Sequence, residues 1–408
     1  MRILILGSGG REHAIARSLA TDTPDLHAAP GNPGIAGLAE LHQVDATNPA
    51  DVTALAARLN TDLVVIGPEA PLVAGVTDAL EAAGIACFGP TAAAARIEGS
   101  KAFAKEIMNA AGIPTAASFN CETEAEADEA LASFGPPYVV KDDALAAGKG
   151  VLVTEDIDAA RAHAKACARV VIEEYLDGPE VSLFAVCDGV SAVPLLPAQD
   201  FKRAHDGDTG PNTGGMGSYT PLGWAPPGLT GETMDTVIKP ALAELARRGT
   251  PYRGLLYAGL ALTSRGLRVV EFNARFGDPE TQVILDRLAS PLSGLLHGAA
   301  TGSLAAAAEP RWHPGAAVAV VLAAEGYPAD PIKGDPIEIL DLPERRGAYL
   351  LHAGTALVSG QLVSAGGRVL NAVGSGADLA EARSNAYAIA NRVRMRGGWY
   401  RHDIAARA

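Results

Sequence analysis

The sequence predicts a mixed α/β and α+β chain: a doubly wound N-terminal α/β domain, a central domain with antiparallel sheets, and a small C-terminal β-rich domain. Three observations carry this reading. To about residue 98, short apolar runs ending in glycine alternate with helical patterns. Beyond about residue 138, β-branched runs succeed one another across tight turns. From about residue 313, further short strands lead to one last helix.

"RILILG" is a continuous apolar run, as a buried parallel strand requires, and its glycines turn the chain into the helix "REHAIARSLA". "DLVVIGPEAPL" repeats the pattern ahead of the helix "VAGVTDALEAAG", and "IACFGP" is another strand. Residues 99–114 read as a helical connector. "YVVKDD", "GVLVT", a helix around 156–168 and "RVVIEEYL" come next. "VSLFAVCDG" and "SAVPLLPAQD" read as paired strands. A polar glycine-rich loop leads to a helix at roughly 230–248 and a hairpin that turns near Gly266. "AAVAVVLAA" and "GAYLLHAG" are strands of the last domain, which a helix at about 379–396 closes. Boundaries near 100 and 312 divide the chain into 1–100, 101–312 and 313–408.

The 408 residues are 48% hydrophobic and 20% charged, enough for a large core and several domains. A net charge of −14 argues against nucleic acid or anionic membrane as a partner. Anionic small molecules still fit if the cations are gathered locally. The four cysteines are widely spaced with no CxxC pair, which reads as reduced buried thiols rather than a zinc site. A strand starting at residue 2 leaves no room for a signal peptide, and the longest apolar run, 316–324, is too short to span a bilayer. The expectation is a soluble, cytoplasmic protein.

Four stretches carry chemistry. "LGSGGREH" places backbone N–H groups at a helix N-terminus, where an anion binds well. A dinucleotide loop would want a third glycine where Glu12 stands, so a phosphate or polar-substrate loop, or a plain tight turn, fits better. "LAAGKGV" resembles a phosphate loop but lacks the hydroxyl of a Walker A motif and lies between two strands. It suits a glycine hairpin closing over a nucleotide, with Lys141 aimed at the same phosphates; a solvated hairpin is the plainer alternative. In "VVIEEYLDGPE", Glu173, the backbone at Tyr175 and Leu176, and Glu180 could hold an adenine amine and a ribose, or simply end a strand.

The fourth stretch is "VVEFNARFGDPET". Strand alternation puts Glu271, Asn273 and Arg275 on one face. Charges facing inward need a partner, and magnesium supplies one for carboxylate and amide oxygens. Arg275 would then stabilise a transferring phosphoryl group. The alternative is an internal ion pair between Glu271 and Arg275.

Taken together and in order, these segments resemble the ATP-grasp enzymes and, within them, the glycinamide ribonucleotide synthetase (phosphoribosylamine–glycine ligase) family. The matching stretches include "GSGGREHA", "APGNPG", "IGPEAPLVAG", "GPNTGGMG", "EFNARFGDPETQ" and "GGRVL", spanning residues 1 to about 370. The resemblance implies a central ATP-grasp domain with a mobile subdomain at about 115–185. It implies ligation of glycine to phosphoribosylamine through a glycyl phosphate in de novo purine synthesis, with ATP as co-substrate and Mg2+ or Mn2+ as cofactor. A monomer or weak oligomer is expected. Carried over by position, Lys105, Lys141, Gly148, Lys149 and Gly150 would handle ATP phosphates. Glu173, Tyr175, Leu176 and Glu180 would hold adenine and ribose, and Glu271 and Asn273 the metal. Catalysis would fall to Arg275, Lys141 and Asp200. Gly9, Gly10 and Glu69 would hold phosphoribosylamine, while Asp200, Gly214, Gly215, Asp278 and Pro279 would position glycine and the acyl phosphate.

Two departures stand out. The family usually has Lys-Ala-Asp-Gly where this chain has Lys141-Asp142-Asp143-Ala144, which adds a charge near the phosphates and removes a glycine. It commonly has His where Phe201 stands. Another ATP-grasp carboxylate–amine ligase, or a nucleotide-binding regulator without turnover, are the rival readings.

Overall fold

The computed structural model describes residues 1–143, 150–167, 169–341 and 347–408. In the first domain, β1 (Arg2–Gly7), β2 (Asp25–Pro30), β3 (Glu40–Leu41), β4 (Leu63–Ile66) and β5 (Ala86–Phe88) form a parallel sheet in the order β3-β2-β1-β4-β5. Ile3, Leu4, Ile5 and Leu6 are wholly buried, as expected of a central strand covered on both faces. β1 hands the chain to α1 (Gly10–Leu19) at the point where strand order reverses, the place where open parallel sheets bind ligands. Between β3 and β4 lies a helix, Pro49–Leu59, whose N-terminus is capped by the Asn48 side chain.

Residues after 115 build two further antiparallel sheets. The smaller orders Ser118–Cys121, Val170–Glu173, Tyr138–Asp142 and Val151–Thr154, with its own core of Leu131, Val140 and Ile172. "LAAGKGV" joins two antiparallel neighbours of this sheet, but its residues 145–149, with residue 144 before them, lie outside the described residues. The larger sheet pairs Glu180–Asp188 with Arg253–Thr263, and that strand with Gly266–Asn273. Opposite Gly259 and Leu260 the last strand carries one extra residue, Val270, in a β-bulge.

The hairpin expected from "SAVPLLPAQD" is only half formed. Ala192–Pro194 pairs with Glu180–Asp188, whereas Gln199–Asp200 crosses to Gly217–Thr220 in a third sheet. Pro194 and Pro197 lack N–H groups and thin the first ladder, which persists only as the Leu195 N–H to Phe184 O bond and the Ser182–Ala198 bridge before the chain changes sheets. The third sheet continues through Ala316–Ala323, Arg368–Gly376 and Ala348–His352. The last helix also differs from expectation. It stops at Ala390, and Val393–Met395 turns back as a strand against Ile337–Ile339. The helix expected at 230–248 forms with a wide turn at Met234–Ile238, where Pro240 removes one backbone donor.

One apolar cluster links the domains, running from Leu4 and Val64 through Tyr252 and Phe272 to Val320 and Ile389. The closing helix lies so close to Arg368–Gly376 that a Cβ on Gly374 would sit 2.2 Å from the backbone N of Ala386. Gly374→Ala is therefore expected to cost about 1–3 kcal/mol of stability. Urea unfolding checks this, and an unchanged midpoint would show that the helix can shift to make room.

Candidate active site

A cleft of about 820 Å³ opens between the small sheet, the large sheet and the first domain. Among the sequence-predicted residues, Glu69, Lys105, Lys141, Gly150, Glu173, Tyr175, Leu176, Glu180, Asp200, Gly214, Glu271, Asn273, Arg275 and Asp278 line it. Gly9, Gly10, Gly215 and Pro279 are not among the residues that line it. Gly148 and Lys149 lie outside the described residues.

The cations come first. Lys105 Nζ is 3.1 Å from Glu173 Oε1, and Lys141 Nζ is 2.8 Å from Glu173 Oε2. All three side chains are buried. Glu173, expected at the adenine and ribose, is the shared counter-ion of these two lysines. Strand pairing ends at this residue, so exposed Tyr175 and half-buried Leu176 follow outside any ladder. Lys141 also donates to Val270 O at 3.2 Å, using the carbonyl of the bulged residue. Lys105 donates to Thr115 Oγ1 and Ala116 O, each at 2.9 Å. Burial lowers the Lys105 pKa, with Glu173 opposing it.

Glu271 and Asn273 both reach the cleft from Gly266–Asn273. Among the described residues no cation is paired with the Glu271 carboxylate. Burial would raise its pKa, but Lys202, Lys141 and Lys101 outweigh burial and hold it below the usual range. Asn273 Oδ1 takes only a long contact, 3.4 Å, from Arg275 Nη2. An ionised carboxylate and an amide oxygen with capacity to spare suit a hard divalent cation such as Mg2+.

Arg275 lies past the strand end and does not pair with Glu271. The ion-pair alternative thus fails, because the guanidinium turns toward the first domain. It lies 3.4 Å from Glu69 and 3.1 Å from Glu98. Burial works against its charge, but Glu98 and Glu69 prevail and raise its pKa, so Arg275 stays cationic.

Asp200 sits beside Lys202, which is ion-paired with Glu180. The Asp200 carboxyl is pushed up to about 7, mainly by burial; Lys202 opposes the shift, and Glu280, Glu180 and Glu271 add to it. The Gly214-Gly215 turn is pinned by Arg368, which donates to Gly214 O and to Asp278 O, the latter at 2.6 Å. Gly215 has φ +108°, and a Cβ there would meet Pro279 Cδ at 2.5 Å.

At the N-terminal loop, the Gly9 N–H already donates to Glu12 Oε2 at 2.5 Å. A Cβ on Gly67 would meet Glu12 Oε1 at 2.0 Å, so the Glu12 carboxylate fills the space where a dinucleotide loop would leave room for pyrophosphate. Gly10 packs on Asn371 and Gln282.

Lys101, Lys202, Arg368 and Glu98 also line the cleft without having been singled out in the sequence. The basic pair after "PAQD" and the "GGRVL" stretch were the available signals for Lys202 and Arg368. Phe201, in place of a family histidine, packs against Tyr219 and under the Arg401 guanidinium, 5.0 Å from its ring centre.

Three phosphoribosylglycinamide synthetase models match most of the chain: N domain at residues 1–98, ATP-grasp (A) domain at 99–281 and C domain at 317–407. The chain belongs to the phosphoribosylglycinamide synthetase family. It is 62% identical to phosphoribosylamine–glycine ligase of Streptomyces coelicolor, with 100% of this chain and 99% of that protein covered. It is 56% identical to the Mycobacterium tuberculosis ligase over 100% of this chain and 98% of that one. The crystal structure of the Thermotoga maritima ligase superposes with a TM-score of 0.85 at 37% identity, covering 99% of this chain and 100% of that chain. Biotin carboxylase of Campylobacter jejuni shares the fold at a TM-score of 0.76 and 14% identity, over 98% and 93% of the two chains. No helix among the described residues is long and apolar enough to cross a membrane.

Two outcomes follow from the buried charges. Glu173→Gln leaves Lys105 and Lys141 without their shared counter-ion, and is expected to cost about 3–5 kcal/mol of stability; thermal unfolding measures it, and a loss below about 1 kcal/mol would show that solvent screens the pair. Asp200 has a folded pKa above its unfolded value. Between about pH 4 and 7 the ligand-free folded protein therefore keeps a proton that the unfolded chain has released, and stability falls as pH rises through that window. Asp200→Asn should flatten that part of the curve in urea unfolding at about pH 5 and about pH 7. An unchanged slope would place the effect on another group.

Proposed function

We propose that the chain uses ATP to join glycine to 5-phosphoribosylamine, giving glycinamide ribonucleotide, ADP and phosphate in de novo purine synthesis. The observation that carries this reading is a single cleft in which buried lysines, hard oxygen donors and a charged arginine converge, in a chain that matches phosphoribosylamine–glycine ligases over its whole length.

Glycine's carboxylate is a poor electrophile until one oxygen becomes part of a leaving group. Attack of that oxygen on the γ-phosphorus, with departure of ADP, gives glycyl phosphate. The phosphoribosylamine nitrogen then attacks the acyl carbon, and phosphate leaves. In this reading Lys105, Lys141 and the Gly148–Gly150 loop hold the ATP phosphates. The residues around Glu173, Tyr175, Leu176 and Glu180 border adenine and ribose. Glu271 and Asn273 would hold Mg2+, which when bound neutralises charge on the phosphates. Arg275, kept cationic by Glu69 and Glu98, faces the charge that develops on the transferring group. Asp200 and the turn formed by Gly214, Gly215, Asp278 and Pro279 border the glycine and acyl phosphate. Gly9, Gly10 and Glu69 lie on the phosphoribosylamine side. The cleft must also exclude water, which would hydrolyse an acyl phosphate. The reading includes a cytoplasmic enzyme acting as a monomer or weak oligomer.

ADP release from purified protein should require ATP, Mg2+, glycine and freshly generated phosphoribosylamine together. Turnover without glycine, or equally with another amino acid, would point to a different ATP-grasp ligase. Arg275→Ala should lower kcat by about 100- to 1,000-fold while MgATP still raises the melting temperature. Undiminished turnover in that variant would remove Arg275 from phosphoryl transfer.

A further inference from the structure

Away from the cleft, at the edge of the first domain, three side chains with metal-binding atoms meet. β3 is the edge strand and pairs in parallel with β2, placing Glu40 beside His27. The next residue but one, His42, is held by its N–H to Ala28 O at 2.8 Å. His27 Nδ1 lies 2.9 Å from His42 Nε2. The two Glu40 oxygens face different rings, Oε2 at 3.7 Å from His27 Nδ1 and Oε1 at 3.8 Å from His42 Nε2. One ligand atom from each of the three residues falls within 4.8 Å of the others.

A fourth residue fixes the tautomer. His27 Nε2 is 3.2 Å from Asp25 Oδ1, and Asp25 Oδ2 accepts from Arg2 Nε at 2.9 Å. With its proton on Nε2, His27 turns the lone pair of Nδ1 toward His42 and Glu40. A carboxylate behind a histidine, orienting the ring and raising its basicity, is the usual support of a metal-bound imidazole. With that tautomer the contact between the facing nitrogens needs the His42 proton on Nε2. A cation that takes both lone pairs leaves His42 neutral with its proton moved, through solvent, to Nδ1.

We propose that His27, His42 and Glu40 bind a late first-row divalent metal ion, with zinc as the representative, and leave a further position to water. Two imidazole nitrogens select this class over magnesium, which prefers oxygen ligands. Two nitrogens on a tetrahedral zinc lie roughly 3.3 Å apart, as follows from Zn–N distances of about 2.0–2.1 Å. The pair must therefore open by a few tenths of an ångström. His42, at the end of a two-residue edge strand, is free of any further strand ladder that would oppose this. The His27 and His42 side chains are only 9% and 13% exposed while Glu40 is 70% exposed, so an ion can enter on the carboxylate side and be held on the imidazole side. Bound there, it would cross-link β3 and the start of the following loop to β2.

The test is titration of the full-length, chelator-stripped protein with zinc by calorimetry, and with cobalt(II) by visible absorption. Wild type should bind one equivalent, with the intense d–d bands of a low-coordinate cobalt site. His42→Ala should lose that equivalent, and Asp25→Asn should weaken it by about 10- to 100-fold. Glu40→Gln, at an exposed position, provides a second variant if His42→Ala folds poorly. All three should keep their magnesium-dependent turnover in metal-stripped buffer, since none lines the cleft. If wild type and His42→Ala take up zinc with the same stoichiometry and affinity, or if cobalt shows only the pale spectrum of the hydrated ion, the proposal is wrong and the cluster is a hydrogen-bonded edge clamp.

Discussion

The Glu173 carboxylate between Lys105 and Lys141 is the contact on which the cleft depends. Two ammonium groups held apart in a buried place repel each other and lose hydration, so neither would stay there without a shared anion. The three residues come from different elements: Lys105 from the helix Lys101–Ala110, and Lys141 and Glu173 from neighbouring strands of the small sheet. Lys141 reaches on to the bulged Val270 carbonyl of the large sheet. Thr115, which receives Lys105, donates its own hydroxyl to Val269 O at 2.7 Å. One charge cluster therefore sets the small sheet against the large one, and the bulge beside it sets the direction in which Glu271 leaves the ladder.

The same logic of local compensation explains how a chain of net charge −14 can present cations to an anionic substrate. Carboxylates away from the cleft are spread over helices and exposed ends. Within it, Glu69, Glu98, Glu173, Glu180 and Asp278 are each paired with a positive group, whereas the ionised state of Glu271 is maintained at longer range by Lys202, Lys141 and Lys101. Glu12 shows the opposite arrangement. Its carboxylate occupies the glycine turn after β1, taking the Gly9 N–H and an ion pair from Arg11 at 2.6 Å. The sheet keeps its ligand-binding switch point but not as a dinucleotide loop, and the chain's own anion fills the space.

Local pattern made much of this legible in the sequence. Buried parallel strands announce themselves as unbroken apolar runs, and Ile3 to Leu6 are buried as that pattern requires. Alternation along one strand put Glu271 and Asn273 together without reference to any distant residue. What stayed hidden was set by long-range pairing. Nothing near Glu173 in the chain says that its partners are Lys105 and Lys141. Arg368 comes from the last domain to pin the Gly214-Gly215 turn, and no local periodicity ties those two segments. The chain leaves its first ladder only after the Ser182–Ala198 bridge, and Gln199–Asp200 then pairs in another sheet, a step visible only once the ladder is drawn.

Arg275 shows how that long-range pairing bears on chemistry. Its charge is held by Glu69, at the start of one helix of the first domain, and by Glu98, near the end of another. Glu98 Oε2 also accepts the Ala274 N–H at 2.7 Å, so the same residue fixes both the guanidinium and the backbone that carries it. Two carboxylates on one guanidinium restrain its rotation and hold it at the wall of the cleft. Arg275 Nε itself is shut off from solvent and faces Glu69 Oε2 at 3.4 Å, an ion pair rather than a well-aligned hydrogen bond. The arginine is thus positioned by the first domain before any substrate arrives. A charge set in place beforehand needs no reorganisation when negative charge develops beside it.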